Sequence, residues 1–256
     1  MTEELRAQAG TAAPHRSATV TNARVEVHYE PQSQTPRGDL DRIYETRFSR
    51  ADAAAKDAVW VEVCAYLQRF VLPGAPVLDV AADRGHFIRN IQAAERWATD
   101  IRDVRRHLTD DIRFVQVSGI AMSGVLPRDH FGTVFMSNYL EHLADSDVVV
   151  EQLRQAHAVC RPGGRLVVLQ PNIRLVGGRY WDFLDHRTAL TEKSLQEAAE
   201  LVGFTTRQVI TRFLPFTTKS RLPQAPALVR MYLRVPAVWR VLGRQTLYVG
   251  ECLKES

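Results

Sequence analysis

Short apolar runs alternate with segments of helical spacing along most of this chain. The runs predict strands at 76–80, 96–100, 112–117, 132–137 and 165–170, then at 205–211 and 245–253. Between them, helical spacing predicts helices at 86–95, 102–108 and 145–160, the last with Val149, Leu153, Ala156 and Cys160 on one face. Arg161-Pro162-Gly163-Gly164 stops that helix and turns the chain into the fifth strand. Thr191 reads as the N-cap of a further helix that ends before Gly203. Ahead of the first strand the pattern is helical over 39–71, with Trp60, Cys64, Leu67 and Val71 forming one apolar stripe that Pro73 and Gly74 end. Strands alternating with helices imply an α/β fold: a doubly wound, seven-stranded, mostly parallel sheet whose final two strands pair antiparallel at one edge.

Residues 1–38 are rich in Ala, Thr, Gln, Ser and Pro and read as a mobile leader, apart from alternation over 23–29 that would suit one edge strand. Residues 39–256 then form a single domain with insertions at about 172–190 and 213–244. The three cysteines, Cys64, Cys160 and Cys252, are far apart in sequence, form no CxxC pair and lie near no histidine at ligand spacing. Neither a disulfide framework nor a metal site is expected, and the usage suits a reducing cytoplasm. The opening MTEELRAQAG carries acids where an export signal needs basic residues and an apolar core. A formal net charge of +4 is a mild basic bias, compatible with an anionic substrate, a membrane surface or RNA, and commonest as a plain solvated surface.

The segment PVLDVAADRGHF carries the most chemistry. A strand bearing Asp79 runs into a tight loop with Gly85, and a second strand ends in Asp100, where a ribose would present its hydroxyls. Dinucleotide sites use glycines in that loop to bring bare N–H groups to a pyrophosphate, whereas here two of those positions are Ala81 and Asp83. A carboxylate at the loop mouth repels phosphate and attracts an ammonium or sulfonium group. The loop therefore argues against NAD and for S-adenosylmethionine.

The pieces VLDVAADRGHF, RWATDIRD, RFVQVSGI, FGTVFMSNYLEHL and LRQAHAVCRPGGRLVVLQPN, in that order, make the chain resemble the class I S-adenosylmethionine-dependent methyltransferases. LEHL, LQPN, YWDFLDH, ALTEKSL and RFLPFTTKSRLP further resemble a subgroup often encoded beside sugar-modifying and cell-surface polysaccharide genes. The resemblance implies a Rossmann-like methyltransferase fold with a lid insertion before the last strand. It assigns Asp79 and the loop of Ala81, Asp83 and Gly85 to the methionine end of the cofactor, Asp100 to the ribose, and Ile101 to the adenine face. Ser118 and Gly119 stand where the family bonds the adenine edge, with Ser in place of the commoner Asp. Ser137, Asn138 and Tyr139 would line the cofactor and face the substrate. Tyr44 and Arg47 resemble a helix that closes over the site, with Arg47 pairing with the cofactor carboxylate. The family loop is usually GxGxG, so Ala81 and Asp83 imply weakened or slightly shifted binding.

Methyl transfer to a hydroxyl needs an aligned nucleophile and a base. His142, just after the fourth strand, is the first candidate; the alternative is that Glu141 and His142 cap the next helix or order the cofactor loop. Asp185 and His186, in WDFLDHR, are a second acid–imidazole pair, read either as substrate pocket or as a polar turn. Asn138, three residues before Glu141, replaces the acid that related quinone methyltransferases use for a divalent metal, so no metal is expected. The other histidines, His86 among them, read as surface or helix residues. Within 213–244, Leu228, Tyr232, Val235 and Trp239 share an apolar face beside Arg230, Arg234, Arg240 and Arg244, and Pro236 divides the segment. It reads either as a substrate-side lid or dimer contact, or as a lid that rests on the inner membrane surface. The expected acceptor is the oxygen of a sugar, glycolipid or other small metabolite. RNA is an alternative that SNYL disfavours, lacking the prolines of a D/N-PPY motif, and a non-catalytic regulatory protein that kept the fold is another.

Overall fold

The computed structural model describes residues 50–216 and 225–254. The leader, the strand expected over 23–29, Tyr44 and Arg47 lie outside the described residues. Seven strands form one sheet: β1 (Val77–Val80), β2 (Arg96–Asp100), β3 (Ile112–Gln116), β4 (Phe131–Ser137), β5 (Cys160–Pro171), β6 (Phe204–Ile210) and β7 (Gln245–Cys252). Their order is β3-β2-β1-β4-β5-β7-β6. All neighbours are parallel up to β5, and β7 runs antiparallel to both β5 and β6. The fold class expected from the alternating pattern is the one observed.

Alternation along the strands sorts side chains into two cores, one on each face of the sheet. Val134 and Met136 of β4 enter one cluster while Phe135 between them enters the other; Leu166 and Val168 of β5 separate likewise from Val167 and Leu169. The first face is covered by α2 (Ser146–Val159) through Val149, Leu153 and Ala156, and by α4 (Glu192–Leu201) through Leu195 and Ala199. Between these two helices comes the short α3 (Ile173–Val176). The second face is covered by α1 (Arg50–Leu67) through Val63, Cys64 and Leu67. It also receives Leu233 of α5 (Pro226–Arg234) and Trp239 of α6 (Pro236–Leu242). No helix among the described residues is long and apolar enough to cross a membrane.

Two predicted helices are not formed. Residues 83–90 make a series of turns, and over 102–108 only a single 3-10 turn, Arg105–His107, appears. The first loss has a local cause. The Arg89 N–H reaches Gly85 O as in an α-helix, but the Asn90 N–H goes to Phe87 O and the Asn90 side chain donates to His86 O at 2.8 Å. Arg96 then donates to the carbonyls of Ile88 and Arg89. Side chains thus take the carbonyls that the next turn of helix would need.

Strand order reverses between β1 and β4, whose carboxyl ends open the crevice where such sheets bind ligands. The antiparallel β7 begins beside Pro171, and β6 ends beside Leu247, so the chain between β6 and β7 emerges at that same edge.

Thr191 and Ser194 form a reciprocal cap on α4, with Ser194 N donating to Thr191 Oγ1 at 3.1 Å and Thr191 N donating to Ser194 Oγ at 2.9 Å. Thr191→Ala is expected to cost about 1 kcal/mol, read as a lower urea midpoint with unchanged slope.

Candidate active site

The crevice is built around a backbone that curls left-handed three times in five residues. Ala81, Asp83 and Gly85 take φ of +56°, +49° and +66°. These are the positions at which the resemblance expects glycine, so the conformation is kept where the residue type is not. Asp adopts this region more readily than most residues, while Ala81 bears a strain of about 1–2 kcal/mol. A side chain at Gly85 would strike Leu108, its Cβ falling 2.5 Å from the Leu108 side chain.

Charge holds the curl in place. Asp83 N donates to Asp100 Oδ2 at 3.0 Å, and Arg102 donates to Asp83 Oδ1 at 2.9 Å and to Asp100 Oδ1 from both N and Nε. Burial works against the charged form of Asp83, yet Arg102 holds its carboxyl below the ordinary range. Asp79, 4% exposed, has no such partner among the described residues. Burial, with Asp100 and Asp83 adding to it, raises its carboxyl well above the ordinary value, against a single backbone bond from Ile88.

On the far side of the crevice, Gly119 packs against a hydrogen bond between Tyr139 OH and Gln152 Oε1 of 2.8 Å. A Cβ at Gly119 would fall 2.2 Å from that oxygen. Ser118 precedes it in extended conformation, and Ile101 is half-buried with its carbonyl held by Gln116 Nε2. Asn138 leaves β4 with φ +48° and donates to Ser137 Oγ at 2.9 Å. The ends of β1, β2, β3 and β4 thus bring Asp79, Ala81, Asp83, Gly85, Asp100, Ile101, Ser118, Gly119, Ser137, Asn138 and Tyr139 to one edge. An acid-rich mouth suits a ligand that has cationic groups and hydroxyls, and opposes one that carries a pyrophosphate. A carboxylate has about four lone-pair sites, so Asp100 keeps acceptor capacity beyond its internal bonds.

Beside Tyr139 the three catalytic candidates meet. Nδ1 of His142 lies 3.0 Å from the Asp185 carbonyl and 3.4 Å from Asp185 Oδ2, and its ring centroid is 5.1 Å from that of His186. Asp185 therefore faces His142. The contact is enforced by backbone bonds from Arg187 and Thr188 to Glu141 O, and by Thr188 Oγ1 to Leu143 O at 2.7 Å. Tyr180, Phe183 and Phe216 wall the His186 ring at centroid distances of 4.7, 4.9 and 6.5 Å. Glu141, 2% exposed, is raised to about 7 by burial, and its Oε2 has no hydrogen bond among the described residues.

Sequence reasoning missed several members of the site. His86 is not a surface residue but is 7% exposed, bonded through Nδ1 to Asp57 at 2.7 Å and stacked on Trp60. Burial first, then Lys56, lowers its imidazole to about 4. Arg102 and Gln152 had no motif to mark them; the alternation of charge in DIRD was the only signal for the former.

Fold and crevice together define an enzyme of the adenosyl-cofactor class. A family profile described as "Methyltransferase domain" matches residues 56–209, more than half of the chain. The chain belongs to this methyltransferase family, and it is an S-adenosylmethionine-dependent methyltransferase. Among solved structures, an S-adenosylmethionine-dependent methyltransferase from Archaeoglobus fulgidus aligns with TM-score 0.53 at 18% identity, covering 74% of this chain and 92% of that one. A chain of the complex between the Haloferax volcanii Trm112 methyltransferase activator and a methyltransferase aligns with TM-score 0.60 at 16% identity, covering 87% and 99%. A geranyl diphosphate methyltransferase in complex with GPP and sinefungin aligns with TM-score 0.52 at 11% identity, covering 75% of this chain and 77% of that one. At such identities the likeness is one of fold. No protein of curated function matches the sequence.

Two outcomes are expected. Asp100→Ala weakens S-adenosylhomocysteine binding by more than about tenfold in calorimetry on protein that still melts cooperatively; unchanged affinity would remove Asp100 from the ribose site. Glu141 has a raised carboxyl, so its charge destabilises the fold as pH climbs from about 4.5 to about 7 and does not do so below. Glu141→Gln escapes that loss. Its stability relative to the natural chain should rise between pH 5 and pH 8 by on the order of 3 kcal/mol, followed by denaturant melts at both values.

Proposed function

We propose that this methyltransferase acts on a hydroxyl oxygen of a sugar, glycolipid or related small metabolite, with His142 as general base. One observation carries the reading. A backbone carbonyl can only accept, so the 3.0 Å contact from His142 Nδ1 to the Asp185 carbonyl fixes the proton on Nδ1. Nε2, with no hydrogen bond among the described residues, is left with its lone pair. That is the tautomer a base needs, and the Asp185 carboxylate at 3.4 Å stabilises the imidazolium formed when Nε2 takes a proton. His186 lies alongside as an acceptor-side group, and the rings of Tyr180, Phe183 and Phe216 supply flat apolar walls on which a sugar face or isoprenoid chain can lie.

Bound S-adenosylmethionine supplies an electrophilic methyl on a sulfonium leaving group. Asp100 would hold the ribose hydroxyls, Asp79 and the Ala81–Asp83–Gly85 loop the methionine end, Ile101, Ser118 and Gly119 the adenine, and Ser137, Asn138 and Tyr139 the boundary with the acceptor. This chain's own contribution is to orient the acceptor oxygen, shed water from the crevice and receive the hydroxyl proton at His142 Nε2.

His142→Ala is expected to lower turnover by about 10²-fold or more, while S-adenosylhomocysteine affinity stays within about twofold. The assay follows labelled methyl into a panel of glycans, lipid-linked sugars and RNA fragments. An unchanged rate, or transfer to RNA alone, would overturn this reading.

A further inference from the structure

Between β6 and β7, α5 and α6 form a two-helix platform whose outer face nothing described covers. Its inner side is pinned. Arg230 makes two bonds to Glu62 of α1, at 2.9 and 2.5 Å, Tyr232 OH donates to Phe213 O, and Trp239 Nε1 donates to Tyr232 O at 2.7 Å. Trp239 packs edge-on against Tyr66 and Phe213. Pro226 and Pro236 each open a helix, so the pair turns at Val235 instead of running on as one rod.

The outer side has the opposite character. Leu228, Met231, Val235, Val241 and Leu242 are all exposed, Met231 by 59% and Val241 by 68%. Arg234 and Arg240 stand exposed among them; neither lies within ion-pair distance of an acid among the described residues, and Glu62, bonded to Arg230, feels Arg234 only from further off. Residues 225–244 contain four arginines and not one acid. Exposed aliphatic side chains interleaved with exposed arginines match one partner chemistry, a bilayer with anionic headgroups.

We infer that the outer face of α5 and α6 docks on an anionic lipid surface. A second copy of this face is a poor match, because a symmetric pairing would bring only like charges together. Residues 217–224 add Lys219 and Arg221 and no acid, so they cannot neutralise the patch either. The platform emerges at the carboxyl edge of the sheet, and its root carries Phe216, whose ring lies 5.6 Å from that of Phe183. Docking there sets the acceptor side of the crevice next to the headgroup layer. The docking stands independently of the acceptor proposed above.

The test is co-sedimentation of the full chain with phosphatidylcholine vesicles with and without phosphatidylglycerol. Binding is expected only to the anionic vesicles, with release at high salt. Arg234→Glu with Arg240→Glu, and separately Met231→Ser with Val241→Ser, should each lower the bound fraction at fixed lipid by about tenfold. Arg106→Glu with Arg128→Glu changes net charge equally on other surfaces and should bind as the natural chain does. Unchanged S-adenosylhomocysteine affinity in all variants separates lost docking from lost folding. The inference is overturned by absence of binding, by equal loss in the control pair, or by a concentration-dependent dimer that the same platform substitutions abolish.

Discussion

The crevice depends on a left-handed backbone that the chain enters without the usual glycines. Once β1 ends, the peptide must curl tightly enough to leave the crevice open, and three alternate residues take positive φ to do it. In Ala81 the strain is uncompensated by residue type. It is offset by what the curl makes possible: Asp83 N reaches Asp100, and Arg102 closes a ring of charge between the loop and the tip of β2. Loop and second strand are thereby fixed to one another by the protein's own bonds, as a preorganised site requires.

The same electrostatics separate this crevice from a nucleotide-phosphate site. Asp79, Asp83 and Asp100 crowd one mouth, and Arg102 is committed to two of them. The buried Asp79 is left with a strongly raised carboxyl. A cationic ligand relieves this crowding, whereas a pyrophosphate would aggravate it.

The acceptor side follows a different rule. There backbone bonds dominate: Glu141 O receives two N–H groups from the segment after Asp185, and with the Thr188 hydroxyl on Leu143 O they lay Asp185 against His142. Two histidines, a buried acid and three aromatic rings are thus gathered from three stretches of chain, one of them the platform root at Phe216.

The strands, their parallel order, the antiparallel edge and the cap at Thr191 were legible in the sequence, because period-two alternation and capping chemistry are local and leave a written trace. The places of Asp79 in β1, of Asp100 at the end of β2 and of the tight loop that follows β1 were legible for the same reason. The helix expected over 86–95 was not, since Asn90 and Arg96 take its carbonyls through contacts that spacing does not record. Sequence also singled out Asp185, His186 and His142 separately, while only the folded chain could join Asp185 to His142, 43 residues apart in sequence. His86 was misjudged because an isolated histidine carries no mark of Asp57 and Trp60 waiting on another element. Local patterns therefore set which elements form and where their ends lie; which charged and ring-bearing groups neutralise, stack on or orient one another depends on long-range packing, and that was decided in three dimensions.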